Sequence, residues 1–233
     1  RRSSDLTLLF YTDQYKTRRK ISYAEFCKEQ NLKTAIFLGM HKEDKNLEEL
    51  KKLKTTQVIL FDIEETKDFN TIISDSNNGI KEMFEYLNEN NVKKLAVITG
   101  TKSAEITTQK KIKEIKKFSE NKNIKVTFYQ GNFYYQSGYD VGKTIETNNY
   151  DAVFAMNDAM AIGALDAFRE RGINVPNDIK LIGFDNLAVT SVITPSIPSI
   201  AHDNKEIINS IFKMLSNTDE KKQIIVPTKF IKK

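Results

Sequence analysis

Short apolar runs alternate along the chain with longer stretches in which apolar residues recur at helical spacing. The short runs predict strands over 6–11, 34–39, 57–62, 71–74, 94–99, 125–130, 152–156 and 180–184. The longer spacing predicts helices over 47–53, 77–90, 106–120, 134–147, 159–171 and 204–215. In the 77–90 stretch, Ile80, Met83, Phe84 and Leu87 form one apolar stripe. Asp75 and Ser76 precede it as capping candidates, and Asn90-Asn91 ends it. Further on, Ile162, Leu165 and Phe168 turn inward on a helix that stops at Gly172. Such alternation predicts βαβ units and parallel sheets, hence an α/β fold. The polar segment 64–70 interrupts the pattern after Phe61-Asp62, and regular units restart near Thr71. Two half-sized sheets therefore fit better than one long sheet.

The stretch from Tyr150 to Asn186 is the most informative. An apolar run from Ala152 to Met156 stops at Asn157-Asp158, a helical run from Ala159 to Arg171 follows, and the run Lys180 to Phe184 stops at Asp185. Polar groups stand where each strand stops. In open parallel sheets ligands bind outside the carboxyl ends of the strands, so Asn157 and Asp185 are the first candidates for a small-molecule site.

Composition narrows the function classes. The chain has 233 residues, 39% hydrophobic and 29% charged, which suits a soluble protein with a substantial core. No apolar run reaches the roughly 18 residues that span a bilayer, and the apolar run near the N-terminus is broken by Asp13, too early for a signal peptide. No membrane partner is expected. The single cysteine, Cys27, excludes an internal disulfide and makes a reducing cytoplasm the expected location. It stands among Tyr23, Phe26 and Gln30, as a small packed residue does. The net charge of +5 comes from lysines interspersed with glutamates, as on solvated helix faces, so this stretch is not expected to grip DNA itself. His41 and His202 are too few and too far apart in sequence to suggest a metal cluster with Cys27. No GxSxG elbow, Walker loop or GxGxxG occurs, and no cofactor is expected.

The segment DAVFAMNDAMAIGALDAFRERGINVPNDIKLIGFDN resembles the effector-core signature of the LacI/GalR family of sugar-responsive repressors. FDIEETKDFNTIISDSNNG, VKKLAVITG, TPSIPSI and PTKFIKK match further motifs in order, and QGNFYYQSGYDVGK resembles the galactose-operon-type members of Gram-positive bacteria. The resemblance runs from about Thr34 to Lys233. It implies two doubly wound parallel-sheet subdomains of the periplasmic-binding-protein type, joined by three strand crossings, with a ligand cleft between them. The expected subdomains are 1–73 with 203–221, and 74–202 with 222–233. DLTLLFYTDQ resembles the family's second strand, so its first strand, first helix and helix-turn-helix domain are not expected in this sequence.

A sugar is a ring of hydroxyls with apolar faces, which calls for polar side chains and an aromatic. The resemblance assigns polar contacts to Asp62, Asn157 and Asp185, and the closing aromatic to Phe133. Each polar group has a structural alternative: Asn157 can cap the following helix, and Asp185 can hold a turn. Lys111 aligns with the family's arginine, but lysine is a point charge without the planar fork, so a re-tuned contact and a solvated helix lysine both remain open. His202 aligns with a polar contact of some relatives; filling a gap between subdomains is the preferred reading, with ligand contact retained as a candidate role.

The reading is an effector-sensing core that binds a sugar or sugar phosphate and controls DNA binding allosterically. The resemblance implies a homodimer, with contacts near 161–169, that reaches operator DNA through a helix-turn-helix domain. Two alternatives stay open. A transport receptor shares the fold but needs an export signal and usually shows tryptophan in its cleft; the chain has none. A sugar-acting enzyme would use paired acids such as Asp62 and Asp185, though nothing else required for a reaction centre accompanies them.

Overall fold

The computed structural model describes residues 7–11, 21–38, 40, 44, 46–63, 67–101, 106–216 and 222–233. The chain forms two compact units, Arg1–Asp75 with Asp203–Val226, and Ser76–His202 with Pro227–Lys233. As the alternation predicted, both carry sheets of largely parallel strands.

In the first unit the strand order is β1 (Thr7–Tyr11), β2 (Thr34–Leu38), β3 (Gln57–Phe61), β4 (Asn70–Asp75) and β10 (Gln223–Pro227). Strands β1 to β4 pair in parallel. Successive side chains on a strand point to opposite faces. Ala35, Phe37, Val58 and Leu60 therefore share a core with Tyr23, Phe26 and Cys27 of helix α1 (Tyr23–Glu29) and Leu47 and Leu50 of α2 (Asn46–Lys51). Ile36, Ile59, Ile72 and Val226 pack on the other face with Met214 of α8 (Asn204–Ser216). Burial on both faces explains why these strands read as continuous apolar runs.

Helix α1 was not predicted, although ISYAE carries its start signal. Ser22 Oγ accepts from the Glu25 amide at 3.2 Å, and the Ser22 amide donates to Glu25 Oε2 at 2.9 Å, a complete capping box. Replacing Ser22 with alanine is expected to cost about 1 kcal/mol of stability, measured by denaturant unfolding. An unchanged midpoint would show that the cap is idle. Cys27 is fully buried, as its neighbours suggested, and burial pushes its thiol up to about 11.

The chain leaves the first unit later than the sequence analysis placed it. Strand β4 is hydrogen-bonded to β3, so the first crossing follows Asp75 rather than 73. Strand β10 lies beside β4, with the Thr71 amide donating to the Lys222 carbonyl, so the last crossing follows Val226 rather than 221. The segment expected to recross as a whole is divided between β10 and β11 (Lys229–Ile231). Of the interrupting polar segment, 64–66 lies outside the described residues, as do Leu6 and Gly39 of the expected first and second strands.

In the second unit the order is β11, β9 (Ser199–Ala201), β8 (Lys180–Phe184), β7 (Ala152–Ala155), β5 (Lys94–Thr99) and β6 (Lys125–Gln130). The strands are parallel except β11, which runs antiparallel to β9. Helices α3 (Asn77–Glu89), α4 (Ile106–Asn121), α5 (Tyr135–Thr144), α6 (Asp158–Glu170) and the short α7 (Val189–Val192) complete it. The stripe Ile80, Met83, Phe84 and Leu87 is wholly buried in the core, as predicted. Its cap is not: the Ser76 side chain makes no capping bond and instead donates to Glu114 Oε2 at 2.6 Å. Asn91 and Gly172 adopt positive φ where their helices were expected to end. The 134–147 helix is shorter than predicted; it stops at Thr144, and Thr147–Asn149 forms a separate 3-10 turn. The short β9 and α7 had no periodicity long enough to read.

Candidate functional site

Strand β7 runs through Met156 into Asn157, whose extended backbone opens helix α6. Asn157 Oδ1 accepts from the Met160 amide at 2.9 Å, so the capping role is real. Its Nδ2 also donates to the Phe133 carbonyl at 2.7 Å. The amide is thereby fixed from both ends, the kind of rigidity a ligand contact needs.

Phe133 lies between β6 and α5 with φ of +68°, a conformation that costs a bulky residue strain. The Asn157 bond to its carbonyl helps hold that backbone. Its ring lies against Gly100 at the end of β5, where any Cβ would overlap it. A side chain at position 100 would therefore displace the aromatic that the resemblance places over the ligand.

At the end of β8, Asp185 and Asn186 both have positive φ, +99° and +51°. The turn is anchored on every side. The Asp185 amide donates to the Ile200 carbonyl at 2.8 Å, the Asn186 amide to Ser199 Oγ at 3.0 Å, and the Leu187 amide to Asp158 Oδ2 at 2.6 Å. Ser199 Oγ in turn donates to Asp158 Oδ1 at 2.7 Å. Asp158 is wholly buried and faces the bare Cα of Gly183, where a Cβ would collide with its carboxylate. Burial pushes its pKa up to about 6, against the opposing pull of the Ser199 and Leu187 hydrogen bonds. The Asp185 charge raises it further, and Lys233 lowers it.

His202 follows β9. Its Nε2 stands 3.4 Å from Asp185 Oδ1, and its ring meets the buried Phe184 ring edge-on at 5.3 Å. Lys111, on α4, places its Nζ 3.7 Å from the centroid of the same Phe184 ring. An ammonium over an aromatic face is attracted by the ring quadrupole. Lys111 is thus directed toward the end of β8, although lysines dominate the sequence around it.

The structure thus gathers Lys111, Phe133, Asn157, Asp185 and His202 around the carboxyl ends of β5 to β9 in the second unit. Asp62 belongs to the first unit. It follows β3 with φ of +58°; its Oδ1 accepts from the Ser74 amide at 2.7 Å and its own amide donates to the Ile72 carbonyl at 2.9 Å. That is a turn-holding role within its unit. Sequence reasoning passed over Asp158 and Phe184. An aspartate in the first turn of a helix is ordinary, because it suits the helix dipole. Only the three-dimensional convergence of Leu187 and Ser199 on it marks it out. Among the described residues no group of three His, Cys, Asp or Glu side chains is placed to hold a metal, and His41 lies outside them. No helix among them is long and apolar enough to cross a membrane.

Comparison with known proteins fits this geometry. The profile of the family described as a periplasmic binding protein-like domain matches residues 84–232. Catabolite control protein A of Priestia megaterium is 27% identical over 194 residues, covering 81% of this chain and 58% of that protein. The transcriptional regulator GalR of Streptococcus thermophilus is 27% identical over 193 residues, covering 77% and 56%. The chain thus spans little more than half the length of these relatives. Among solved structures, a LacI family regulator from Weissella paramesenteroides with bound sucrose superposes with a TM-score of 0.80 at 19% identity, over 94% of this chain and 81% of that one. A LacI family regulator from Enterococcus faecium with bound ribose gives 0.79 at 20% identity, over 90% and 81%. The chain belongs to the periplasmic binding protein-like domain family, and its relatives there are LacI/GalR-type transcription regulators.

Proposed function

We propose that this chain is the effector-sensing part of a transcription regulator and that its effector is a small sugar or sugar phosphate. The observation that carries this reading is the convergence of Asn157, Phe133, Asp185, His202 and Lys111 at one set of strand ends. Asp185 and Asn157 offer the hydrogen-bonding groups that vicinal hydroxyls require, Phe133 an apolar face, and Lys111 a positive charge. The GalR relative is a transcription regulator by name, and the sugars bound to two structural neighbours support the same class of ligand. By the sequence resemblance, Asp62 is proposed as a further ligand contact. In the whole protein the effector would act on operator DNA through a helix-turn-helix domain in a cytoplasmic homodimer. It would shift that regulator only by its difference in affinity for the DNA-binding and released states.

A thermal-shift screen of the purified chain against monosaccharides, disaccharides and their phosphates tests the reading. A ligand that binds only the folded form raises the melting temperature, by about 2.7 kcal/mol of stability at a hundred times its Kd. The shift is expected to disappear in Asn157→Ala. A hit that keeps its full shift in that variant places the ligand elsewhere. Incubation with the hit for hours, followed by product analysis, separates sensing from turnover: a sensor returns the sugar unchanged.

A further inference from the structure

A second concavity lies in the same unit, on the β6 side of α4. It measures about 240 Å³ and is lined by Thr101, Thr108, Gln109 and Gln130 together with Ile112 and Phe128. None of the six candidate effector contacts lines it. It opens at the carboxyl ends of β5 and β6, the position where open parallel sheets hold small ligands.

The lining is chemically uniform. Among the described residues every polar side chain in it is a neutral hydroxyl or amide, and Ile112 and Phe128 supply an apolar wall. Lys116, whose Nζ stands 5.8 Å from the Phe128 ring, is not among the lining residues. Thr108 is the most telling of them. Only 3% of its surface is exposed, yet it borders this space.

We infer that this concavity is a second binding site, for an uncharged polyhydroxy compound no larger than a monosaccharide. Its volume is below the roughly 300–1,000 Å³ of sites for drug-sized ligands, which sets the size limit. An anion or cation would lose its hydration without gaining a counter-charge from the described lining residues, whereas alcohol groups match hydroxyl and amide partners one for one. The site touches the effector region at one point: Gly100 is part of its wall, and the Phe133 ring lies against Gly100.

Polyols at high concentration stabilise folded proteins without binding, so melting temperatures are not a sufficient readout. Saturation-transfer NMR and titration calorimetry on the purified chain with glycerol, erythritol and D-glucose give the answer, with glucose 6-phosphate as the charged control. Saturable binding of at least one neutral probe is expected to persist in Asp185→Asn, to weaken at least tenfold in Thr108→Val, and to vanish in Ile112→Trp, which fills the space. Should the tryptophan variant fail to fold, Thr108→Val carries the test, since it exchanges a hydroxyl for a methyl at nearly constant volume. Absence of saturable binding by any neutral probe overturns the inference. So does binding that is lost in Asp185→Asn but intact in Thr108→Val, which would mean that the effector region alone takes the probe. The two regions are read by separate variants, so each reading fails on its own.

Discussion

Replacing Asp185 with asparagine is expected to weaken effector binding by about a hundredfold or more while leaving the fold intact. A carboxylate that accepts from two ligand hydroxyls makes charge-assisted bonds worth roughly 1.5–3 kcal/mol each, and asparagine retains one neutral acceptor. Asparagine is also the clean replacement for backbone reasons. Position 185 has φ of +99°, which asparagine and aspartate tolerate better than other side chains. Alanine would add strain of about 1–2 kcal/mol, mixing a stability effect with a binding effect. Asp185→Asn also removes the negative charge that stands 3.4 Å from His202 Nε2, so His202 can re-orient and part of the loss will be indirect. Calorimetric titration with a ligand found in the screen, at matched melting temperature, gives the ratio of affinities. A ratio near one would mean that Asp185 only shapes the turn, the structural alternative its sequence position left open.

The strand ends were legible because their signal is local. Each buried parallel strand is an apolar run that stops at a polar residue, and Asn157 and Asp185 could be picked from that boundary alone. Lys111 and His202 came from family resemblance, since a lysine in ITTQKKIKEI and a lone histidine carry no local distinction. What joins them is the Phe184 ring, which the Lys111 ammonium and the His202 ring both meet. Their convergence depends on β8 and β9 lying side by side, and β9 was too short to predict. The same limit hid Asp158. Its partners Leu187 and Ser199 lie 29 and 41 residues away in sequence. The Ser76 cap failed for a related reason: Glu114, 38 residues on, competes for the hydroxyl and wins with a short bond to a carboxylate.

Asp158 should make stability fall as pH rises through the weakly acidic range. Its carboxyl has a pKa of about 6 in the folded chain against an ordinary 3.8, so between those values the folded state holds a proton that the unfolded state has released. Stability then decreases with rising pH, from its full value below about pH 4 to a plateau above about pH 6. The difference between the two pKa values corresponds to about 3 kcal/mol as an upper figure. Asp158→Asn removes this titration while keeping the contacts. Its carbonyl still accepts from the Leu187 amide, and its amide can donate to Ser199 Oγ, which already accepts from the Asn186 amide. The stability of Asp158→Asn relative to the parent is therefore expected to climb by up to about 3 kcal/mol between pH 4 and pH 7, followed by urea unfolding. Parallel curves for the two proteins would show that the carboxyl titrates normally. Asp158→Ala is the contrasting case. It leaves the buried Ser199 hydroxyl and the Leu187 amide without their acceptor, at about 1–3 kcal/mol each, and it frees the turn that presents Asp185. That variant should lose both stability and effector affinity, and the asparagine variant should restore the affinity. An alanine variant that binds as well as the parent would show that the turn holds its shape without the buried acid.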